Sequence, residues 1–174
     1  MRWMWIDRII ELTPRQRLVA IKHISLAEEH LHDHFTADPA RDLPAAPTMP
    51  ACFIIEGMAQ SAGILVGHAG QFREKVVLAK VSKVELAEDA APGDTLRYTA
   101  TVVRLDNMGA QTSGVVELLP PDEPGTAREI GQIDLMFSHL DQNMAGAKFP
   151  EHNFVFSESF RVLLRSSGIA ADFC

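Results

Sequence analysis

One stretch of the sequence, MPACFIIEGMAQSAGILVGH at residues 49–68, decides the fold of this chain. Small and aliphatic residues fall on nearly every side of it, a composition typical of a helix buried on most faces rather than one lying on a surface. Pro50 suits the first turn of such a helix, Thr48 could cap it, and Gly67 or Gly70 could end it. We therefore predict one central helix.

On both sides of this helix the sequence changes to β-branched runs and to apolar–polar alternation, the two-residue period of strands. A turn-like break at Thr13–Gln16 separates the first two predicted strands, and an irregular loop at residues 30–50 leads into the helix. The predicted strands occupy residues 6–12, 18–24, 76–86, 96–102, 112–119 and 130–140. Together these elements predict an α+β fold, with a curved antiparallel sheet wrapped round the long helix.

Length and charge limit the classes of protein that fit. The 174 residues suit one domain, 1–174, in which 141–174 would be a C-terminal extension with a short helix capped by Ser157. The net charge of −7 argues against a nucleic-acid partner, since no basic stripe is available to displace counterions.

Two features favour a cytoplasmic protein without a membrane span. Charges appear too early after Met1 for a signal peptide, and the apolar helix is short for a span and contains Glu56 and Gln60. The two cysteines, Cys52 and Cys174, are too few for a disulfide framework.

Glu56 is the most unusual residue of the central helix, because it is the one acidic group in an apolar run. A carboxyl in such surroundings tends to keep its proton, which is what a general acid needs near neutral pH. Gln60 lies one turn further on the same face and could hydrogen-bond to it. A structural ion pair with a buried Arg or Lys is the alternative interpretation.

Histidines in the preceding loop offer a base. A neutral imidazole at His34 suits proton abstraction near pH 7, with Phe35 anchoring the loop, although a lone loop histidine is often only solvated. His30, His32 and His34 would share one side of an extended segment, which is a weak metal-site pattern with no evident fourth ligand. We therefore predict no metal.

The backbone N–H groups at the start of the helix, near Ala51 and Cys52, could stabilise an oxyanion. The Cys52 thiol itself has mostly apolar neighbours and is interpreted as a packing residue.

These residues resemble a known family, the 3-hydroxyacyl-(acyl-carrier-protein) dehydratases of fatty-acid synthesis, which have the hotdog fold. Met49-Pro50 followed by IIEGMAQSAG at residues 54–63 looks like the family's central helix. Residues 19–22 followed by His34-Phe35 are similar to the segment that leads to its catalytic histidine. The resemblance covers roughly residues 3–140.

The resemblance implies an enzyme that dehydrates (3R)-3-hydroxyacyl thioesters to trans-2-enoyl thioesters, without a cofactor. His34 and Glu56 would be its catalytic residues, and Glu rather than Asp indicates the branch that only dehydrates. The implied partners are an acyl carrier protein, with its phosphopantetheine-linked acyl chain, and further copies of this chain. These copies would form a homodimer or a higher oligomer built from dimers, because the family's two catalytic groups face each other across a homodimer interface. We expect substrate to lie against Phe35, Ala51, Cys52 and Gln60.

The sequence departs from the family around the histidine and at the start of the helix. Asp33, Thr36 and Ala37 stand where the family has Gly, Pro and Gly, the loop from Ala37 to Thr48 is longer, and Ala51 replaces a glycine. Two alternatives therefore stay open. One is a thioesterase on the same fold, in which the helix carboxylate activates water, and the other is a non-catalytic acyl-binding protein.

Overall fold

The computed structural model describes residues 3–32, 34–123, 125–143, 149–150 and 152–170, so that Asp33 and Cys174 lie outside the described residues. Its elements in chain order are the strands β1 (Arg8–Thr13) and β2 (Arg17–His23), the helix α1 (Ala51–Ala69), the strands β3 (Val76–Leu86), β4 (Thr95–Leu105), β5 (Gly109–Leu119) and β6 (Arg128–His139), and the helices α2 (Leu140–Asn143) and α3 (Glu158–Ser166).

The described strands form one antiparallel sheet in the order β1-β2-β4-β5-β6-β3. Register shifts interrupt the pairing of β1 with β2, β3 with β6, β4 with β5, and β5 with β6. Such bulges bend strands, and the curved sheet packs on α1 through β2 to β6. The predicted α+β arrangement is confirmed.

Strand alternation decides which side chains meet α1. On β4, Leu96, Tyr98 and Ala100 are completely buried, whereas Arg97 points away from the core and pairs with Glu117 of β5 through two hydrogen bonds of 2.7 and 2.6 Å. The helix therefore lies on the apolar face of the sheet, and the polar face carries the cross-strand ion pair.

The start of α1 differs from the sequence expectation. Pro50 is itself the capping residue, and its carbonyl accepts from the N–H groups of Phe53 and Ile54, so the Thr48 side chain does not cap the helix. By its length and composition alone, α1 is long and apolar enough to cross a membrane. However, 61% of its apolar 18-residue stretch is buried inside the protein. That burial is typical of the core helix of a folded domain.

Close packing at Gly57 gives a stability prediction. A Cβ at this position would lie 2.6 Å from Tyr98 Cζ and 2.9 Å from the Trp5 carbonyl oxygen. Because one contact is with backbone, we expect Gly57→Ala to lower the free energy of unfolding by about 1–3 kcal/mol, measured by urea denaturation.

Gly63→Ala is the matched control for this substitution. Its added methyl would meet Phe137 Cε1 at 3.6 Å, an ordinary contact, and alanine favours the helix by roughly 0.5–1 kcal/mol over glycine. If both variants unfold at the same urea concentration as the parent protein, the close packing at Gly57 does not affect the free energy of unfolding.

The C-terminal segment, residues 152–170, is held at both ends. Asn153 Nδ2 donates to the carbonyls of Phe72 (2.8 Å) and Glu74 (3.0 Å), just after α1, while the N–H of Ile9 donates to Ser167 Oγ at 3.0 Å. α3 follows Ser157, the predicted cap position, but the Ser157 side chain makes no capping hydrogen bond. The segment therefore runs from the end of α1 to β1.

Candidate active site

One face of α1 borders an apolar groove of about 270 Å³. Glu56, Gln60 and Gly63 line it from the helix, at spacings of four and three residues that place them on one face. The start of β3, Phe137 of β6 and side chains of the C-terminal segment complete the wall. The groove is polar near Glu56 and apolar beyond Gln60.

Gln60 holds the carboxyl of Glu56 in position. Its Nε2 donates to Glu56 Oε1 at 3.0 Å, the contact that the one-turn spacing predicted, and also to the carbonyl of Trp3 at 3.1 Å. Its Oε1 accepts from the N–H of Trp5 at 2.9 Å. This buried amide is thus fixed by the N-terminal segment, and no described residue hydrogen-bonds to Glu56 Oε2.

Glu56 is half-buried in the protomer rather than fully buried, because its side chain faces the groove and not the sheet. Among the ion pairs of the described residues, none involves Glu56. The alternative of a structural pair with Arg or Lys therefore has no support in the described chain. The carboxyl is placed where a ligand in the groove would meet it.

His34 lies in the loop between β2 and α1 and is half-buried. Its ring contacts that of Phe35, with 4.2 Å between centroids, but Phe35 is 60% exposed and does not anchor the loop to the core. Phe35 has a positive φ of 56° and lies in a loop that is exposed from Phe35 to Ala37. Within the described part of one protomer, His34 does not line the Glu56 groove.

The other histidines of this loop point in different directions. Glu29–Leu31 forms a 3-10 turn, so the segment from His30 to His32 is not extended. His32 is exposed. No group of three or more metal-ligating side chains converges anywhere in the described ranges. The extended geometry considered for a metal site is therefore wrong.

His30 packs inside the protein, edge-on against Trp5 and Phe53 with centroid distances of 5.0 and 4.9 Å. Desolvation in this aromatic cluster lowers the pKa of His30; Glu28 opposes the shift, and the charges of Lys22 and His34 add to it. The packing of His30 against Phe53 connects the loop to the first turn of α1.

Buried charges tie the same loop to the sheet. The Lys22 ammonium on β2 is 6% exposed and bonds to the carboxylates of Glu28 and Asp7. Asp7 also accepts from the N–H of His23 at 2.7 Å. A buried cation needs such partners to offset its desolvation, so this cluster restrains the loop that carries His34.

Ala51 and Cys52 are both exposed at the start of α1. Cys52 is a free thiol on the surface, so its interpretation as a packing residue is wrong: the first turn projects from the sheet. The first N–H groups of a helix have no intrahelical acceptor and carry a partial positive charge. This end of α1 can therefore stabilise an anionic oxygen.

The contribution of the C-terminal segment to the groove was not evident from the sequence. Val155, Phe156 and Phe160 line it opposite α1. Phenylalanines flanking a capping serine indicate a helix that packs on something, but nothing in their spacing identifies α1 as the surface they cover.

Comparisons with known proteins identify the family of this chain. The model of the FabA-like domain family matches residues 2–118. A 3-hydroxyacyl-(acyl-carrier-protein) dehydratase FabZ of Enterococcus faecalis is 31% identical over 102 residues, which are 58% of this chain and 65% of the relative. The FabZ of Koribacter versatilis is 32% identical over 111 residues, 63% of this chain and 66% of the relative. The chain thus spans slightly less than two thirds of the length of these relatives.

Solved structures share the fold at low sequence identity. The dehydratase heterocomplex ApeI:P from Xenorhabdus doucetiae matches with a TM-score of 0.56 and 17% identity, over 82% of this chain and 90% of that chain. A thioesterase family protein from Silicibacter pomeroyi matches with a TM-score of 0.58 and 15% identity, over 75% and 82%. These likenesses bear on the fold alone, and the expected hotdog fold is confirmed. Since the family model covers more than half of the sequence, the chain belongs to the FabA-like domain family.

Proposed function

We propose that this protein dehydrates (3R)-3-hydroxyacyl thioesters to trans-2-enoyl thioesters, with Glu56 as general acid and His34 as general base. The observation that carries the proposal is the carboxyl of Glu56, held by Gln60 at the polar end of an apolar groove. The names of the FabZ relatives state the same reaction on acyl-carrier-protein substrates.

The reaction has three chemical requirements, and each has a candidate in this chain. His34 takes the proton from C2, and the released electron pair forms the C2–C3 double bond as the C3–O bond breaks. Glu56 gives its proton to the departing hydroxyl, which leaves as water. The exposed N–H groups of the first turn of α1, at Ala51 and Cys52, stabilise the negative charge on the thioester oxygen. No step calls for a metal or an organic cofactor.

A second copy of the chain would bring the two groups together. β3 is an edge strand of eleven residues, and its Leu78, Val81 and Val84 are 41%, 41% and 38% exposed. A long unpaired edge that exposes several apolar side chains is a template for pairing with another strand. In the proposed homodimer two β3 strands pair, and His34 of each copy approaches Glu56 of the other.

The proposed substrate reaches the groove on the phosphopantetheine arm of an acyl carrier protein, near the start of α1. Phe35 and Cys52, both exposed, are the proposed contacts of that arm. The proposed location is the cytoplasm, where a chain with two cysteines needs no disulfides.

Hydration of a crotonyl thioester, the reverse reaction, tests the function. We expect the enoyl absorbance to fall without release of free thiol, and a chelator to leave the rate unchanged. Release of thiol instead would support a thioesterase. Acyl-thioester binding with neither reaction would support the non-catalytic alternative, and either result would overturn the dehydratase proposal.

A further inference from the structure

The groove beside Glu56 has a direction. Glu56, Gln60, Gly63 and Gly67 follow one another along a single face of α1, and Glu56 and Gly63 are roughly 10 Å apart at 1.5 Å of rise per residue. The polar groups lie at one end, and the lining beyond Gln60 is apolar. A chain attached at the Glu56 end would therefore extend toward Gly67.

The ring of Phe156 closes the Gly67 end. A Cβ on Gly67 would lie 2.3 Å from Phe156 Cζ, so this ring rests directly on the helix backbone. Phe156 packs edge-on against Phe72 and Phe160, with centroid distances of 4.9 and 5.9 Å. Phe160 is half-buried and lines the groove together with Phe156. The groove thus ends in aromatic rings about one turn beyond Gly63.

Hydrogen bonds and close packing fix the segment that carries Phe156 and Phe160. Asn153, three residues before Phe156, is 6% exposed and bonds to two carbonyls that follow α1. On the other side Leu163 and Leu164 are 6% and 0% exposed. Close-packed side chains of this kind resist displacement, so an overlong ligand would meet a real barrier. All of these residues lie beyond residue 118, where the family match ends.

We propose that the C-terminal segment, residues 152–170, sets the length of the acyl chain that this protein accepts, with Phe156 and Phe160 as the stop. The inference rests on the proposed function, since it takes the groove as the acyl site. A groove of about 270 Å³ that ends at these rings accepts acyl chains that stop before the rings and rejects longer ones.

Phe160→Ala in the full chain tests the stop. The readout is the ratio of kcat/KM for hydration of hexadecenoyl and crotonyl thioesters, because only the longer chain reaches the rings from Glu56. We expect the ratio to rise about tenfold, the gain that corresponds to room for about two more buried methylenes. Gly63→Ala, whose methyl meets only Phe137 at 3.6 Å, should lower the same ratio because it takes space inside the groove.

Phe154→Ala is the matched control, because Phe154 belongs to the same segment, is 44% exposed and does not line the groove. It should leave the ratio unchanged. Calorimetric binding of saturated hexadecyl and butyl thioethers of pantetheine measures the same preference in the absence of turnover. If hydration is absent but Phe160→Ala still shifts the binding preference, the proposed function is wrong, while the limit on ligand length is supported.

Two results would contradict the proposal that Phe156 and Phe160 limit the length of the acyl chain. One is an active parent protein whose hydration and binding ratios are the same with and without the Phe160 ring. The other is an absence of thioether binding in every variant, which would remove the acyl site as well.

Discussion

Glu56→Gln is expected to slow crotonyl-thioester hydration by about 10²–10⁴-fold, the usual contribution of a general acid or base, while the protein stays folded. The amide keeps the size of the carboxyl, and its oxygen can still accept from Gln60 Nε2, as Glu56 Oε1 does at 3.0 Å. What it loses is the proton needed by the departing hydroxyl. Steady-state kinetics should show the loss in kcat, with thermal unfolding unchanged.

Glu129→Gln is the matched control, since Glu129 is an exposed residue of β6 far along the sheet from the groove. It should hydrate crotonyl thioester at the parent rate. If the Glu56→Gln protein retains the parent kcat, Glu56 is not the general acid, whatever ligand the groove binds.

The elements that follow a period were predictable from the sequence. The bounds of β3 agree with the predicted 76–86, and α1 differs from its prediction by about a residue. Inward-facing Leu135 and Phe137 of β6 follow from alternation alone. The contact from Gln60 to Glu56 was equally accessible, because helical spacing fixes which side chains share a face.

The loop between β2 and α1 has no hydrophobic period, and its structure could not be predicted from the sequence. The path of the loop around Phe35 follows no sequence period, and a side chain expected in the core is exposed instead. The 3-10 turn at Glu29–Leu31 likewise sends His30 inward and leaves His32 outside.

The wall at Phe156 depends on a contact with Gly67, 89 residues earlier in the chain. A local sequence pattern does not predict a contact between residues so far apart in the chain. A glycine in a helix shows that something packs closely there, without showing what it is.

His34→Ala is expected to lose about 10²–10⁴-fold in kcat, like Glu56→Gln, because the proton on C2 would have no base. The more informative result comes from mixing the two inactive variants after reversible unfolding. In a hybrid dimer, one site combines the intact His34 of one copy with the intact Glu56 of the other, and the second site has neither. Since random reassembly makes half of the dimers hybrid, about a quarter of the parent activity should return.

This recovery separates two arrangements that a single protomer leaves open. His34 does not line the groove that contains Glu56 in its own chain, so a site completed within one copy would need the loop held by Lys22 and Glu28 to move. A site shared between copies needs only that two β3 edges pair. The His32→Ala variant, altered at an exposed histidine two residues away, should be fully active alone and serves as the control. Mixtures that stay inactive although hybrids are detected by native mass spectrometry would place both groups in one chain and contradict the shared site.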